Sequence, residues 1–130
     1  ISSAASDVYK RQDQEKLQAE VTEILEKECA AAKAADVLTW NRYSDEFHLV
    51  FYRYCNNSRL AESAERLRSV ISISSNQYCR ETVIQTRIDE EHLAIFQAYK
   101  DGDIEKAVQM MKTHLNDSLN YALRFLPETF

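Results

Sequence analysis

A chain of 130 residues with one glycine and one proline has few folds open to it. Hairpin turns need residues at positive φ, and strand–helix junctions lean on glycine as well. Gly102 and Pro127 are the only residues of their kinds. Long helices joined by short breaks are therefore expected: an all-α, antiparallel helical bundle of about five helices. The length suits one domain with one core. No apolar run approaches the roughly 20 residues of a membrane span, and no signal-peptide pattern opens the chain. Cys29, Cys55 and Cys79 are odd in number and share no motif spacing. They read as small core residues of a reduced, cytoplasmic protein rather than as a disulfide framework. A net charge of −5 does not attract phosphate backbones, so this segment alone is expected to bind nucleic acid poorly.

Residues 1–12 show no helical period. Asp7-Val8-Tyr9-Lys10-Arg11-Gln12 looks like the translated end of a sequencing-library adaptor, so this stretch is expected to be a non-native tail. A first helix is expected over residues 13–33, where Leu17, Val21, Ile24, Leu25 and Cys29 repeat at helical spacing among solvated charges. A second covers 35–55, with Phe47, Val50, Phe51 and Tyr54 as its main stripe. After the break at Asn56-Asn57-Ser58, a third runs over 59–82 with Leu60, Ala64, Leu67, Val70 and Ile71 on one side. A fourth covers 86–101, with Ile88, His92, Ile95, Phe96 and Tyr99 sharing a face. Gly102 fits a C′ glycine and Asp103 an N-cap. The fifth helix, over 104–126, then turns Ile104, Ala107, Met111, His114, Leu115, Ser118 and Ala122 inward, with Met110 and Met111 filling the core.

The chain has three histidines, His48, His92 and His114, and each lies on or beside the apolar stripe of a different helix. Histidines placed without purpose mostly sit on wet faces. Three pointing inward from separate helices can converge, and converging neutral imidazoles make a metal or ligand site. The competing reading is three buried histidines satisfied by ordinary hydrogen bonds.

Ser44-Asp45-Glu46-Phe47-His48, Asn57, Glu91-His92-Leu93-Ala94-Ile95, Gly102-Asp103-Ile104-Glu105-Lys106-Ala107 and Met111-Lys112-Thr113-His114-Leu115 occur in an order and at distances that carry a resemblance. The segment over residues 16–125 resembles the FCD effector-binding domain, the C-terminal half of FadR-type GntR transcription regulators. The resemblance implies a helical bundle. In metal-binding members, three histidines and an Asp or Asn hold a divalent cation that a small carboxylate effector completes. His48, His92 and His114 match the histidine ligands, and imidazoles suit Zn or Ni. The family's carboxylate position, four residues before the first histidine, holds Ser44. Asp45, three residues before His48, is the candidate substitute. Arg80, Asn116 and Asn120 are the candidates for gripping an effector, arginine because its fork suits carboxylates.

The resemblance also implies a winged helix-turn-helix, absent here, through which the full protein meets DNA, and a homodimer in that full-length form. Residues 13–130 then form an FCD-like ligand-binding domain without its first helix. The expected function is sensing a small carboxylate, a sugar acid or another organic acid, rather than catalysis. Two alternatives are a metal-dependent helical-bundle enzyme, since three histidines with an open position also activate water, and a ligand-free helical interaction domain.

Overall fold

The computed structural model of the chain describes residues 3–55, 58–59, 61–63, 65–66 and 80–124. All regular structure among them is helical, as the scarcity of glycine and proline requires. Four long helices stand out: α1 (Ser3–Lys33), α2 (Val37–Tyr54), α3 (Thr82–Lys100) and α4 (Ile104–Leu123). The described positions between 58 and 66 are helical too, in keeping with the helix expected there. The alternating stretch at 69–75 and most of that helix's apolar stripe lie outside the described residues, as do Cys79 and Pro127.

Helix α1 begins at Ser3, ten residues earlier than the apolar period suggests. The difference is physical. Ala4 and Ala5 favour helix, and no breaker follows them, so the backbone continues without any stripe to announce it. Residues 10–16 are exposed throughout, and Leu17 is the first to turn inward. Helix α3 likewise starts at Thr82, four residues before the expected point, because nothing between Glu81 and Thr86 interrupts it.

The turns are built from identifiable bonds. Gly102 takes φ +79, its N–H reaches Tyr99 O at 3.0 Å, and the Asp103 N–H reaches Ala98 O at 3.0 Å. That pair of bonds closes α3 in a Schellman motif. Asp103 then caps α4 by accepting from the Lys106 N–H. The α1–α2 corner repeats the pattern, with Asp36 N bonded to Ala31 O and Ala35 N to Ala32 O, and Asp36 caps α2 at Thr39 N. Here the residue at positive φ is Ala35, at φ 55. An L side chain resists this conformation and glycine does not. Ala35→Gly is therefore expected to raise stability and Gly102→Ala to lower it, each by about 1 kcal/mol, read as opposite shifts of the urea midpoint.

Helix α1 packs against α2 and α3, and α4 packs against α3. The main core joins Leu17, Val21, Ile24 and Leu25 of α1, Phe47 and Val50 of α2, and Ile95 and Phe96 of α3. Met110 and Met111 of α4 pack against it, as expected of core filling. A second cluster, Ala31, Ala32, Trp40 and Ile88, closes the end nearest the α1–α2 corner. Two residues expected inside α4 are not: Ile104 is 53% exposed and Leu115 49%. The helix turns Ala107 and His114 inward, and Ile104 and Leu115 lie about 60–100° round the helix from that line, at its open flank. No described helix is long and apolar enough to cross a membrane.

Candidate metal centre

The three histidines come from three helices, and the fold brings them together. His48 lies on α2, His92 on α3 and His114 on α4. One ring nitrogen from each falls within 4.8 Å of the others. His114 is the centre of the group. Its Nε2 lies 3.0 Å from His92 Nε2 and 3.4 Å from His48 Nε2. The rings are packed as well as clustered. His48 and His114 stack at 5.2 Å, and Phe47 stacks on His92 at 4.1 Å between centroids. His92 and His114 are buried, while His48 is half-buried at the edge of the bundle, where its step from Phe47 and Phe51 puts it.

The far side of two rings is fixed by carboxylates. His92 Nδ1 lies 3.1 and 3.0 Å from the two oxygens of Glu28, on α1. His114 Nδ1 lies 2.5 Å from Glu91 Oε2, on α3. Ionised, each carboxylate accepts and does not donate, so each Nδ1 then carries the hydrogen. In a neutral imidazole so arranged, Nε2 is a bare lone pair. The 3.0 Å separation then sets two lone pairs against each other, an arrangement that needs a cation between them. Burial first, and then the neighbouring imidazoles, hold His92 and His48 well below the usual histidine pKa, so those two rings favour the neutral form. A tetrahedral metal with nitrogen ligands at about 2.0–2.1 Å would space them by about 3.3 Å. The two contacts of His114, at 3.0 and 3.4 Å, bracket that distance, and the three ligand atoms all lie within 4.8 Å of one another. Carboxylate–histidine pairs of this kind also orient metal-bound imidazoles and raise their basicity. The donor set can thus hold a metal ion.

Glu28 is fully buried and belongs to a longer chain of bonds. Its carboxyl shares a hydrogen bond with Asp89 of α3, and the Trp40 indole N–H of α2 donates to Asp89 Oδ1 at 2.8 Å. Burial pushes Glu28 up to about 7. Burial and the Glu28 carboxylate push Asp89 up to about 8, so Asp89 is the better holder of a proton between them.

A pH dependence follows for metal-free protein. The folded state holds protons on Glu28 and Asp89 that an unfolded chain releases near pH 4. That contribution is full below pH 4 and lost as pH rises through about 7 and 8. Below about pH 6.5 the depressed histidines act oppositely, since the unfolded chain takes protons that His48 and His92 refuse. The two effects offset each other between about pH 4.5 and 6.5. Stability is expected to fall between pH 6.5 and 8 by about 1.4 kcal/mol per pH unit for each proton released. Urea melts across that range measure it, and Asp89→Asn should roughly halve the slope.

Other sequence candidates are placed differently. Ser44 and Asp45 are half-buried on α2, and the group of converging ligand atoms found among the described residues consists of the three histidines, without Asp45. Arg80, Asn116 and Asn120 are exposed. A groove of about 380 Å³ between α3 and α4 has His114, Glu91 and Arg87 in its wall, but none of those three. The reason is helical phase: Asn116 and Asn120 lie about 200° and 240° round α4 from His114. Sequence reasoning missed Glu28 and Asp89 entirely. A signal was there, because Glu28 follows Ile24 and Leu25 by four and three residues, on the apolar stripe of α1.

Comparison with known proteins gives one family. The model of the FCD domain matches residues 2–117, a span that includes all three histidines, Glu28, Asp89 and Glu91. No curated protein and no solved structure matches.

Proposed function

Because this chain belongs to the FCD domain family, the effector-binding domain of GntR/FadR-type transcription regulators, we propose that it senses a small carboxylate through a divalent metal held by His48, His92 and His114. Domains of this family serve in transcription regulators rather than enzymes, bind small-molecule effectors and work alongside DNA-binding domains. The observation that carries the finer reading is the set of Nε2 atoms facing one another while Glu28 and Glu91 occupy the opposite nitrogens. Neutral imidazole ligands suit Zn or Ni. A bound metal would supply open coordination positions that attract a carboxylate oxygen.

This chain's residues set what such an effector meets. Ser44 brings no charge to the place where the family carries an acid, so the three-imidazole set leaves the ion's full positive charge to the effector. Asp45 is the alternative donor on the same turn of α2 as His48. The groove with His114 and Glu91 in its wall gives small molecules a route to the cluster; Arg87 there is offset by Glu90, Glu91 and Asp117, so the attraction for a carboxylate would come from the bound ion rather than from the wall. Arg80, Asn116 and Asn120 would have to reach an effector from exposed positions.

Signalling then needs two arrangements of the bundle with different effector affinity. The three histidines tie α2, α3 and α4 at one point, so an effector that favours one spacing of those helices biases the whole bundle. A DNA-binding partner domain in a homodimer would read that bias.

The test is a thermal-shift series of metal-stripped protein with a set of sugar acids and di- and tricarboxylates, each with and without added Zn. Stabilisation by at least one carboxylate, present with Zn and absent without it, is the expected result. Carboxylate binding that ignores Zn would replace this reading with a metal-free sensor.

A further inference from the structure

The metal reading leaves a buried structure behind His92 without a role. Trp40, Asp89, Glu28 and His92 form one continuous chain of hydrogen bonds that crosses α2, α3 and α1 and returns to α3. Every member is buried, with Trp40, Glu28 and His92 at or near zero exposure. Burying two carboxyl groups is costly, and a packed apolar pair in their place would serve stability better. Glu91, by contrast, holds His114 from a half-buried position, and its other oxygen meets the exposed Arg87 guanidinium at 3.8 Å rather than a buried group.

We propose that Glu28, Asp89 and Trp40 act as a positioning relay for His92, fixing its ring so that Nε2 faces the three-histidine centre and linking occupancy of that centre to the packing of α1 against α2. The inference rests on the metal reading above. Glu28 is the positioning residue in contact with the ligand. Asp89 keeps Glu28 in register through the hydrogen bond the two carboxyl groups share. Trp40 anchors Asp89 through the indole N–H, a single donor that fits one orientation. Outer partners of metal-bound histidines commonly change metal affinity 10–100-fold when altered. The relay would also carry the effect of a bound ion outward. An ion that draws on the His92 lone pair strengthens its Nδ1–H donation to Glu28, and the change passes to Asp89 and the indole.

Trp40 is the only tryptophan in the chain, so its emission reads the far end of the relay. The experiment uses the full chain and Zn, which does not quench fluorescence by itself. Zn affinity is measured by competition with a chromophoric chelator, and Trp40 emission is followed in the same titration. In the unmodified chain, emission should change with the same midpoint as chelator release. Glu28→Gln retains the shape and can still accept from His92, but lacks the charge; it should bind Zn 10–100-fold more weakly with circular dichroism unchanged. Asp89→Asn can accept from Trp40 and donate to Glu28, so it should stay within about threefold of the unmodified chain, whereas Asp89→Leu should fall with Glu28→Gln. Zn binding that leaves Trp40 emission unmoved would overturn the relay, whatever the variants do. So would Glu28→Gln with Zn affinity within twofold of the unmodified chain. Failure of the unmodified chain to bind Zn at all would sink the metal reading itself, a result distinct from either.

Discussion

His114→Ala is expected to weaken Zn or Ni binding by about a hundredfold or more while leaving the helices in place. The central position of this side chain is the reason. Its Nε2 is the atom that approaches both His92 and His48. Structural metal sites with four ligands contribute about 10–16 kcal/mol, so one ligand is worth about 3 kcal/mol, or about a hundredfold. The cost to the fold should be modest. His114 lies on α4, whose backbone runs chiefly against α3, and its partner Glu91 is partly exposed and can turn to water. The same change at His92 is a harsher experiment, since it strips the partner from buried Glu28 as well as a ligand. Competition titration with a chelator measures the loss, and circular dichroism confirms the helices. Equal metal affinity in His114→Ala would mean that the three rings are packing partners and nothing more.

The largest stability effect is expected at Phe47. The ring is fully buried, meets Phe51 and His48 edge-on and stacks on His92. Phe47→Ala removes a large apolar side chain and leaves a cavity at the junction of α1, α2 and α3, a change that costs about 3–5 kcal/mol in other cores. Domains of this size are stable by about 5–15 kcal/mol in total. The variant is therefore expected to lose much of its urea resistance and to bind metal poorly, because His92 loses the surface that holds its ring. Phe51→Ala is the control: that ring is only partly buried and its ring contacts are with Phe47 and Tyr99, so it should cost less and spare the metal. Urea melts of the three proteins, each with and without Zn, separate the packing effect from the metal effect.

The helical framework could be read from the chain because long helices write their phase into the sequence. The stripe Ile88, His92, Ile95 and Phe96 is buried as expected, and Gly102 and Asp103 close one helix and open the next by the bonds their chemistry suggests. The histidines were visible for the same reason: each interrupts an apolar stripe. Glu28 interrupts one too, yet it is hidden in a helix with glutamates at positions 15, 20, 23 and 26, where one more charge looks like another solvated residue. Asp89 is hidden by its neighbours, since Asp-Glu-Glu reads as a wet face until Trp40 is found against it. Contacts between helices decide both cases, and periodicity within one helix does not contain them. The start of α1 escaped for the opposite reason. Its backbone is helical from Ser3, but residues 10–16 are exposed and so carry no stripe. Ile104 and Leu115 were misplaced because α4 has apolar residues on more than one side.

Whether the three histidines hold a metal is reached directly by one measurement. Protein made without a histidine tag is analysed for bound elements as purified, then again after incubation with Zn or Ni and removal of the excess. The expected result is close to one divalent ion per chain in at least one of the two states, removed by chelator and absent from His114→Ala. No bound ion in either state, with the chain folded, would contradict it: the facing lone pairs would then be reconciled by a shared proton, and the histidines would be part of the core.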